Sequence, residues 1–303
     1  MPQSIEVTAV VTVTDDGGSS GRLRRQLEVL PPGDIRNCMV ALSEDEALLS
    51  RLFQYRFARG HGLKGHSFGN LFLTALTELT GDFARAIRLS CEVLASRGRI
   101  LPSTDANVSL EARLDSGKVI AGETKISRSR NMRIREILLK PRKCRPLPET
   151  MEAIAAADLI CLGPGSLYTS VIPNLLVDGI PGAIRRSPAL KAYFVNLMWQ
   201  PGETIGYSAS DHIRAIDAHA GGGLVDVAVV NTRPIGAALR RRYAAARVYP
   251  VGIDRLRLAG MGLRVVGRNL LAVSPRVRHD SQATASVAME LAAEGRALTR
   301  AAS

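Results

Sequence analysis

Three strand-like segments in the second half of the chain constrain the fold most strongly, because each is followed by a loop and a helical segment. Strands are predicted at residues 155–162, 192–197 and 225–231, and helices follow the loops, among them residues 211–219 and 235–246. Strands that alternate with helices form right-handed βαβ units and a parallel sheet. We therefore predict an α/β fold of the Rossmann-like type, with a mostly parallel sheet and helices on both of its faces.

The first half of the chain opens in the same way. Residues 5–14 read IEVTAVVTVT, a β-branched run typical of a strand buried on both faces. Helices are then predicted at residues 22–30, 34–43, 44–57 and 70–95, the last broken near Gly81.

The middle of the chain differs from its flanks. Residues 108–126 alternate in polarity around Asp115-Ser116-Gly117, which predicts an antiparallel hairpin with a tight turn. We interpret residues 106–146 as an inserted hairpin subdomain within a single α/β domain that spans residues 1–303. A hydrophobic content of 46% in 303 residues is sufficient for a large core.

Charge restricts the classes of partner. The formal net charge is +12, and residues 235–303 contribute +8 of it, with twelve Arg against four acidic residues. Such an excess is compatible with a nucleic acid, a membrane surface or an anionic small ligand, and equally with an Arg-rich solvated surface. Because no RNA- or DNA-binding motif accompanies the charge, we expect no nucleic-acid partner.

Cysteines and hydropathy point to the cytoplasm. The four cysteines, Cys38, Cys91, Cys144 and Cys161, are widely spaced and form no CxxC pair, so free thiols in a reducing compartment are expected. No apolar stretch is long enough for a membrane span. The first residues also lack the charged and apolar regions of a signal peptide.

The loop after the first strand reads Asp15-Asp16-Gly17-Gly18-Ser19-Ser20-Gly21. Two carboxylates at a strand end can hold a pair of hydroxyls, hold a cation or act as a general base. The glycines allow backbone N–H groups to approach an anion, and Ser19 and Ser20 add hydroxyl donors. A simple strand-to-helix turn with Asx and Ser capping is the alternative.

A second loop, Gly163-Pro164-Gly165-Ser166, lies between a predicted strand and a predicted helix. Free N–H groups at the start of that helix would form a phosphate site, and the Ser166 hydroxyl would add a donor. An ordinary N-cap after a tight turn is the alternative.

Three further segments contain candidate ligand residues. His66 is a candidate acid, base or phosphate contact, or a structural histidine, and Asn70 is a candidate helix cap or ligand contact. Asn196 and Gln200 carry amides suited to the edge of a base or sugar, whereas Asp211 is a natural N-cap. Arg278 could clamp a phosphate, although the residues alone favour an ordinary surface arginine.

Several enzyme classes are excluded by their motifs. The chain has no nucleophile elbow with a Ser-His-Asp order, no HExxH and no GxxxxGK[ST]. We therefore exclude a serine hydrolase, a zinc protease and a P-loop NTPase.

Taken together, these segments resemble the YvcK branch of the CofD-like family, whose members are called gluconeogenesis factors. The resemblance runs in order along nearly the whole chain through the stretches VTVTDDGGSSGRLR, PPGDIRN, LFQYRF, GHSFGN, GDFARAI, RGRILPST, ADLICLGPGSLYTSVIPNLL, NLMWQPGET, GYSASDH and VRHD. It implies a Rossmann-like fold and a nucleotide-linked ligand, a UDP-sugar such as UDP-N-acetylglucosamine. It further implies a regulatory role in gluconeogenic growth, cell-wall synthesis and cell shape.

The resemblance also assigns the ligand-binding positions. Asp15 and Asp16 would lie at the phosphate or ribose, Gly163 to Ser166 would line the nucleotide site, and Asn196 would lie near it. Tyr243 and Arg278 match positions implicated in UDP-sugar binding. The full set of ligand-binding residues is Asp15, Asp16, Gly17, Gly18, Ser19, Ser20, Arg36, Asn37, His66, Ser67, Asn70, Gly163, Pro164, Gly165, Ser166, Asn196, Gln200, Tyr243 and Arg278.

The CofD branch supplies an alternative function. Its members transfer a phospholactyl group to a deazaflavin with Mg²⁺, in making coenzyme F420, and Asp15 and Asp16 would then hold the metal. The regulator needs no cofactor, and we expect a homo-oligomer in either case.

Two departures from the family pattern bear on the site. The family has a strand and a GGGTG-type loop about two dozen residues before the DDGGSSG loop, and this sequence starts after that point. A third hypothesis is therefore that the ligand site is incomplete and that the protein is a scaffold that binds no ligand. Trp199 also replaces the Thr of NLMTQPGET, and its indole is expected to reshape the pocket.

Overall fold

The computed structural model describes residues 5–43, 48–129 and 132–302. Its strands are β1 Thr8–Val11, β2 Arg99–Pro102, β3 Ser109–Leu114, β4 Val119–Ala121, β5 Ile134–Lys140, β6 Leu159–Leu162, β7 Leu190–Phe194, β8 Val227–Asn231 and β9 Arg264–Arg268. The helices of the first half are α1 Gly18–Leu27, α2 Gly33–Leu42, α3 Leu48–Gln54, α4 Phe68–Thr80, α5 Phe83–Val93 and α6 Glu123–Arg128. Those of the second half are α7 Pro148–Ala156, α8 Ile172–Leu175, α9 Ile180–Arg186, α10 Ala209–Ala220, α11 Ala237–Ala244, α12 Arg255–Gly260 and α13 Ser281–Ala302, with a π-helical turn at Leu167–Val171 before α8.

The predicted α/β architecture is confirmed in the second half of the chain. Strands β6, β7, β8 and β9 form a parallel sheet in that order. Side chains on β7 alternate between two cores, because Ala192 and Phe194 pack with Val287 and Leu291 of α13 while Tyr193 faces the larger cluster that includes α8 and α10. Helices therefore cover both faces of this sheet.

The first half contributes a second parallel pair instead of extending the same sheet. Strands β1 and β2 pair in parallel, from Thr8 opposite Arg99 to Val11 opposite Pro102. Strand β1 is shorter than the ten residues predicted, since it ends at Val11. Of the helix predicted at residues 44–57, the first four residues lie outside the described part, and the remainder contains α3.

The predicted hairpin is present and gains a third strand. Strands β3 and β4 pair antiparallel around the turn at Asp115-Ser116-Gly117, and β5 pairs antiparallel on the other side of β3. The short helix α6 follows β4, and its Ile126 is fully buried in the main core. The inserted segment is therefore packed into the protein instead of projecting from it.

Several element boundaries differ from the sequence predictions in ways that affect the site. Helix α1 begins at Gly18, so Ser19 and Ser20 lie in its first turn and not in the preceding loop. Helix α4 begins at Phe68 with Ser67 as its N-cap residue, which places Asn70 inside the helix. Strand β9 and helix α13 were not predicted. In the described part of the chain, no helix combines the length and apolarity needed to cross a bilayer.

Candidate functional site

The two carboxylates of the first loop are held by the protein's own backbone. Oδ1 of Asp15 accepts from the Gly17 N–H at 2.8 Å, which closes an Asx turn. Oδ1 of Asp16 accepts from both N–H and Oγ1 of Thr124, at 2.8 and 2.6 Å. Asp16 thus satisfies a free donor in the first turn of α6, because the N-cap residue Gly122 has no side chain to do so.

Two more carboxyl groups, those of Asp34 and Glu123, lie near this pair and have raised pKa values. Burial, reinforced by the charges of Asp15 and Asp34, raises the pKa of Glu123 to about 8. Burial and the charge of Asp15 likewise raise the pKa of Asp34 to about 6. The Thr14 hydroxyl donates to Oε2 of Glu123 at 3.0 Å. We call Asp15, Asp16, Asp34 and Glu123 the acidic cluster.

The other side of the first loop contacts the GHSFGN segment. Ser19 Oγ lies 3.0 Å from Nδ1 of His66 and accepts from the Ser67 N–H at 3.3 Å. All three residues are buried, and the Ser67 hydroxyl donates to the Phe53 carbonyl at 3.1 Å. The structure therefore brings the predicted residues Ser19, His66 and Ser67 together across 47 positions of sequence.

A hydrogen-bond chain continues from Ser20 into α2. The Asn70 amide donates to Ser20 Oγ at 3.3 Å and its carbonyl oxygen accepts from Arg36 Nε at 2.9 Å. Arg36 Nη2 then donates to Asn37 Oδ1 at 2.7 Å. Arg36 and Asn37 also line an open cavity of about 850 Å³ between α2 and α3.

The expectation of free N–H groups after the Gly163–Ser166 loop is wrong. The Leu167 N–H donates to Gln200 Oε1 at 3.2 Å, and the Tyr168 N–H donates to Glu203 Oε2 at 2.9 Å. The Thr169 hydroxyl also donates to Glu203, at 3.1 Å. A carboxylate of the chain therefore occupies the position where an external anion was predicted.

Glu203 is a residue of this region that the sequence analysis did not single out. Its side chain is buried; burial raises its pKa, while the hydrogen bonds from Tyr168 and Thr169 oppose that shift. Its position in the sequence could have identified it, because Glu203 is the sole acidic residue of the NLMWQPGET segment and directly follows Pro201-Gly202.

Asn196 and Gln200 support the second loop. The Asn196 amide donates to the Gly165 carbonyl at 2.9 Å and to Gln200 Oε1 at 3.3 Å, and its Oδ1 accepts from Tyr193 Oη at 3.0 Å. Gln200 Nε2 donates to Ser166 Oγ at 2.7 Å. Both amides contact the loop predicted to bind ligand and shape it through these bonds.

Tyr243 contacts the segment that carries Arg278. Tyr243 Oη accepts from the Val277 N–H at 3.2 Å, one residue before Arg278. The Arg278 side chain is exposed, and no carboxylate in the described residues lies within ion-pair distance of it. Nε2 of the next residue, His279, lies 3.3 Å from the Val195 carbonyl, so the segment is attached just beyond the end of β7.

Trp199 faces inward and not towards open space. Its Nε1 donates to the Tyr207 carbonyl at 2.9 Å, and its ring packs edge-on against Tyr249 with centroids 5.3 Å apart. Asp211 is the third helical residue of α10 and forms a capping box with Ser208, the actual N-cap.

Helix α6 connects the two loops. Asp16 of the first loop satisfies its first turn, and Gly202 lies against its last carbonyls. A Cβ on Gly202 would lie only 2.5 Å from the Ser129 carbonyl oxygen. The first loop and the segment that holds the second loop therefore contact opposite ends of one short helix.

The residues do not fit a magnesium site as they stand. Within residues 5–43, 48–129 and 132–302, no three His, Cys, Asp or Glu side chains are grouped as metal ligands. In the acidic cluster one oxygen of Asp16 is already committed to Thr124. Mg²⁺ is commonly held by one or two carboxylates together with waters and substrate phosphates, so a complete octahedral site here would need a bound substrate.

Comparisons with known proteins agree with the fold. The sequence model of the 2-phospho-L-lactate transferase CofD family matches residues 2–271. A gluconeogenesis factor of Bacillus subtilis is 46% identical over 291 residues, which cover 96% of this chain and 92% of that protein. A gluconeogenesis factor of Halalkalibacterium halodurans is also 46% identical, over 94% of this chain and 89% of its own length. A crystal structure of a Bacillus halodurans protein superposes with a TM-score of 0.91 at 45% identity, covering 94% of this chain and 91% of that one.

Proposed function

The chain belongs to the CofD family, and on that premise we propose that it is a regulator that binds a nucleotide-linked sugar of the UDP-N-acetylglucosamine type. We propose that it acts in the cytoplasm and links growth on gluconeogenic carbon to cell-wall synthesis and cell shape. Relatives that share 46% of their residues with it are named gluconeogenesis factors, which supports this branch of the family over the transferase branch. The four cysteines are free, as a reducing compartment requires.

The observation that carries the proposal is the contact of Tyr243 with the backbone of the segment that carries Arg278. An aromatic ring offers a face for a base, and an arginine without a carboxylate partner offers a fork of donors for a diphosphate. Both residues lie beyond the carboxyl ends of β7 and β8, where α/β folds bind their ligands. Arg242 stacks on the same ring, 5.5 Å from its centre, and adds positive charge there.

The Gly163–Ser166 loop has a supporting part in this proposal. Because Gln200 and Glu203 already accept from the N–H groups of the following turn, phosphate does not bind there in this conformation. Asn196 holds the Gly165 carbonyl of this loop. Charge for the diphosphate therefore has to come from arginine side chains.

Calorimetric titration with UDP-N-acetylglucosamine tests the proposal. Arg278→Ala removes one charge-assisted phosphate contact, which is worth about 1.5–3 kcal/mol, or about ten- to a hundredfold in affinity. Arg276→Ala is the matched control, since Arg276 is an exposed arginine two residues away on the same segment. The assignment is refuted if both variants bind as the unaltered chain does.

A phospholactyl transfer activity is the second candidate. The acidic cluster favours it, because the raised pKa values of Asp34 and Glu123, about 6 and about 8, lie on either side of neutral pH and suit proton exchange with a substrate hydroxyl. Incubation with a deazaflavin and a nucleotide-linked phospholactate donor, with and without Mg²⁺, tests this activity by product mass. Formation of the phospholactyl product would replace the regulator proposal. The expected homo-oligomer stays a prediction for sedimentation to test.

A further inference from the structure

Arg22 and Arg56, which the resemblance does not assign to the ligand, lie close to the candidate ligand residue His66, and we call these three residues the cationic cluster. Arg22 lies on α1, Arg56 just beyond α3, and His66 precedes α4. Arg22 Nη2 donates to the Lys64 carbonyl at 2.9 Å, and Arg56 Nη1 donates to the neighbouring Gly65 carbonyl at 2.8 Å. The two guanidinium groups therefore flank the residue directly before His66.

The backbone of this segment is fixed from both sides. The Phe57 N–H donates to the His66 carbonyl at 2.9 Å and the Gly65 N–H donates to the Phe57 carbonyl at 2.7 Å. Gly65 has φ +83°, and a Cβ there would lie 3.2 Å from Arg22 Nη2. The close approach of arginine to this backbone thus depends on a glycine.

The imidazole of His66 presents one nitrogen outward. Because Ser19 Oγ accepts from the Ser67 N–H, its own proton is available to Nδ1 of His66, and in that tautomer the ring proton is on Nε2. No partner for Nε2 exists among the described residues, and Nε2 is not among the fully buried unpaired atoms of the chain. His66 therefore offers a fixed N–H donor at the surface of an otherwise buried ring.

The two arginines carry positive charge without a matching negative one. In the described part of the chain, no carboxylate lies within ion-pair distance of Arg22 or Arg56. Each guanidinium spends one N–H on a backbone carbonyl and keeps the others for a ligand. Burial and the two arginines lower the pKa of His66, so the ring is a neutral donor at physiological pH.

We propose that the cationic cluster is a subsite for a phosphate group. Two guanidinium groups from separate elements are held at the carbonyls of Lys64 and Gly65, next to the His66 imidazole, and such guanidinium donors bind phosphate oxygens well. The ligand is either inorganic phosphate or the phosphate ester of a small metabolite, since both present the same oxygens. This subsite goes beyond the proposed nucleotide-sugar site, whose arginine is Arg278.

The test follows the His66 imidazole by ¹⁵N nuclear magnetic resonance during titration with inorganic phosphate and, separately, with glycerol 3-phosphate. His66→Gln assigns the signal among the five histidines. Phosphate is expected to shift the His66 signal and to raise its pKa, because a bound dianion favours imidazolium. A stronger response to one of the two probes identifies the free anion or the ester as the ligand.

Charge-removing variants decide whether the arginines act as proposed. Arg22→Gln and Arg56→Gln are each expected to weaken phosphate binding about tenfold, and the double variant about a hundredfold. Arg59→Gln, an exposed arginine three residues after Arg56, is the matched control and should bind as the unaltered chain does. The His212 signal, from a fully buried ring on α10, reports whether each variant is folded.

Two results would overturn the subsite: no phosphate-dependent shift of His66 in the unaltered chain, or equal phosphate affinity in the folded double variant. The same samples are titrated with UDP-N-acetylglucosamine. Phosphate binding by a chain that ignores this nucleotide sugar would support the subsite and refute the proposed function. Binding of the nucleotide sugar with no response of His66 to phosphate would do the reverse.

Discussion

Replacing Glu123 by Gln is expected to stabilise the protein at neutral pH. The Glu123 carboxyl group is mostly buried, accepts from the Thr14 hydroxyl and lies close to the charges of Asp15 and Asp34. An amide oxygen can accept the same hydrogen bond without carrying a charge. The variant therefore keeps the contact and removes the cost of ionisation.

The magnitude follows from the pKa. Folding moves the pKa of Glu123 from 4.5 to about 8. At pH 7 the folded chain keeps a proton that the unfolded chain has released, and at 1.36 kcal/mol per pKa unit this costs on the order of 3 kcal/mol. Because the side chain retains some contact with solvent, we expect a gain of about 1–3 kcal/mol for Glu123→Gln.

The sign of the pH dependence is fixed by the same argument. Between the unfolded and folded pKa values the native state binds more protons, so the free energy of unfolding falls as pH rises through this window. The gain in Glu123→Gln should be below about 1 kcal/mol near pH 5 and largest above about pH 8.

Urea unfolding, followed by circular dichroism at several pH values, measures the effect. Glu152→Gln is the matched control, because Glu152 is exposed on α7 and undergoes the same chemical change. A Glu123→Gln variant that is less stable than the unaltered chain above about pH 8, or whose gain does not change with pH, would refute the reasoning.

Two further predictions concern contacts of the inserted segment. Gly202→Ala should destabilise the protein by at least about 1 kcal/mol more than Gly206→Ala in thermal unfolding, because both glycines have positive φ but a Cβ clashes with Ser129 only at Gly202. Nε2 of His219 accepts from the Ile137 N–H at 2.9 Å, and burial lowers the pKa of this ring. Stability should therefore fall as pH drops below about 6.5, and the Ile137 amide should lose protection against hydrogen exchange. Protection of Ile137 that stays constant over this pH range would contradict the prediction.

The sequence predicted those parts of the fold that local patterns determine. Strands β6, β7 and β8 are apolar runs bounded by loops, and the hairpin has its turn at Asp115-Ser116-Gly117, so both are visible in the amino-acid order. Strand β9 reads RVVGR, where two arginines and a glycine obscure the pattern of a strand. Its place in the sheet comes from pairing with β8, which is a tertiary contact.

Helix boundaries near the site depend on residues far away in sequence. A run of Gly and Ser has low helix propensity, and the sequence therefore predicted a loop as far as Gly21. Helix α1 nevertheless begins at Gly18, with Ser19 bonded to His66 and Ser67 some 47 residues on. Local propensity cannot include such contacts. The sequence signal of α13 was available, since its Ala-rich residues favour a helix.

The candidate site shows most clearly what residue type alone cannot decide. Polar residues in a glycine-rich loop have the chemistry to bind a ligand, but the same chemistry satisfies the loop's own backbone. Asp16 accepts from Thr124, Glu203 accepts from Tyr168, and the Asn196 amide donates to Gly165. Buried backbone groups require such partners wherever no ligand supplies them.

The residues whose hydrogen-bond donors are not all satisfied by the protein are therefore the stronger ligand candidates. Arg278 and the cationic cluster of Arg22, Arg56 and His66 carry donors that the described residues do not satisfy, whereas the carboxylates and amides of the two loops are largely occupied. The residues alone ranked the two loops above Arg278 as ligand candidates, because Arg278 was one arginine among many on a basic surface. Electrostatics favours the exposed arginines as ligand candidates over the acidic residues, since a chain with a net charge of +12 attracts an anion through those arginines.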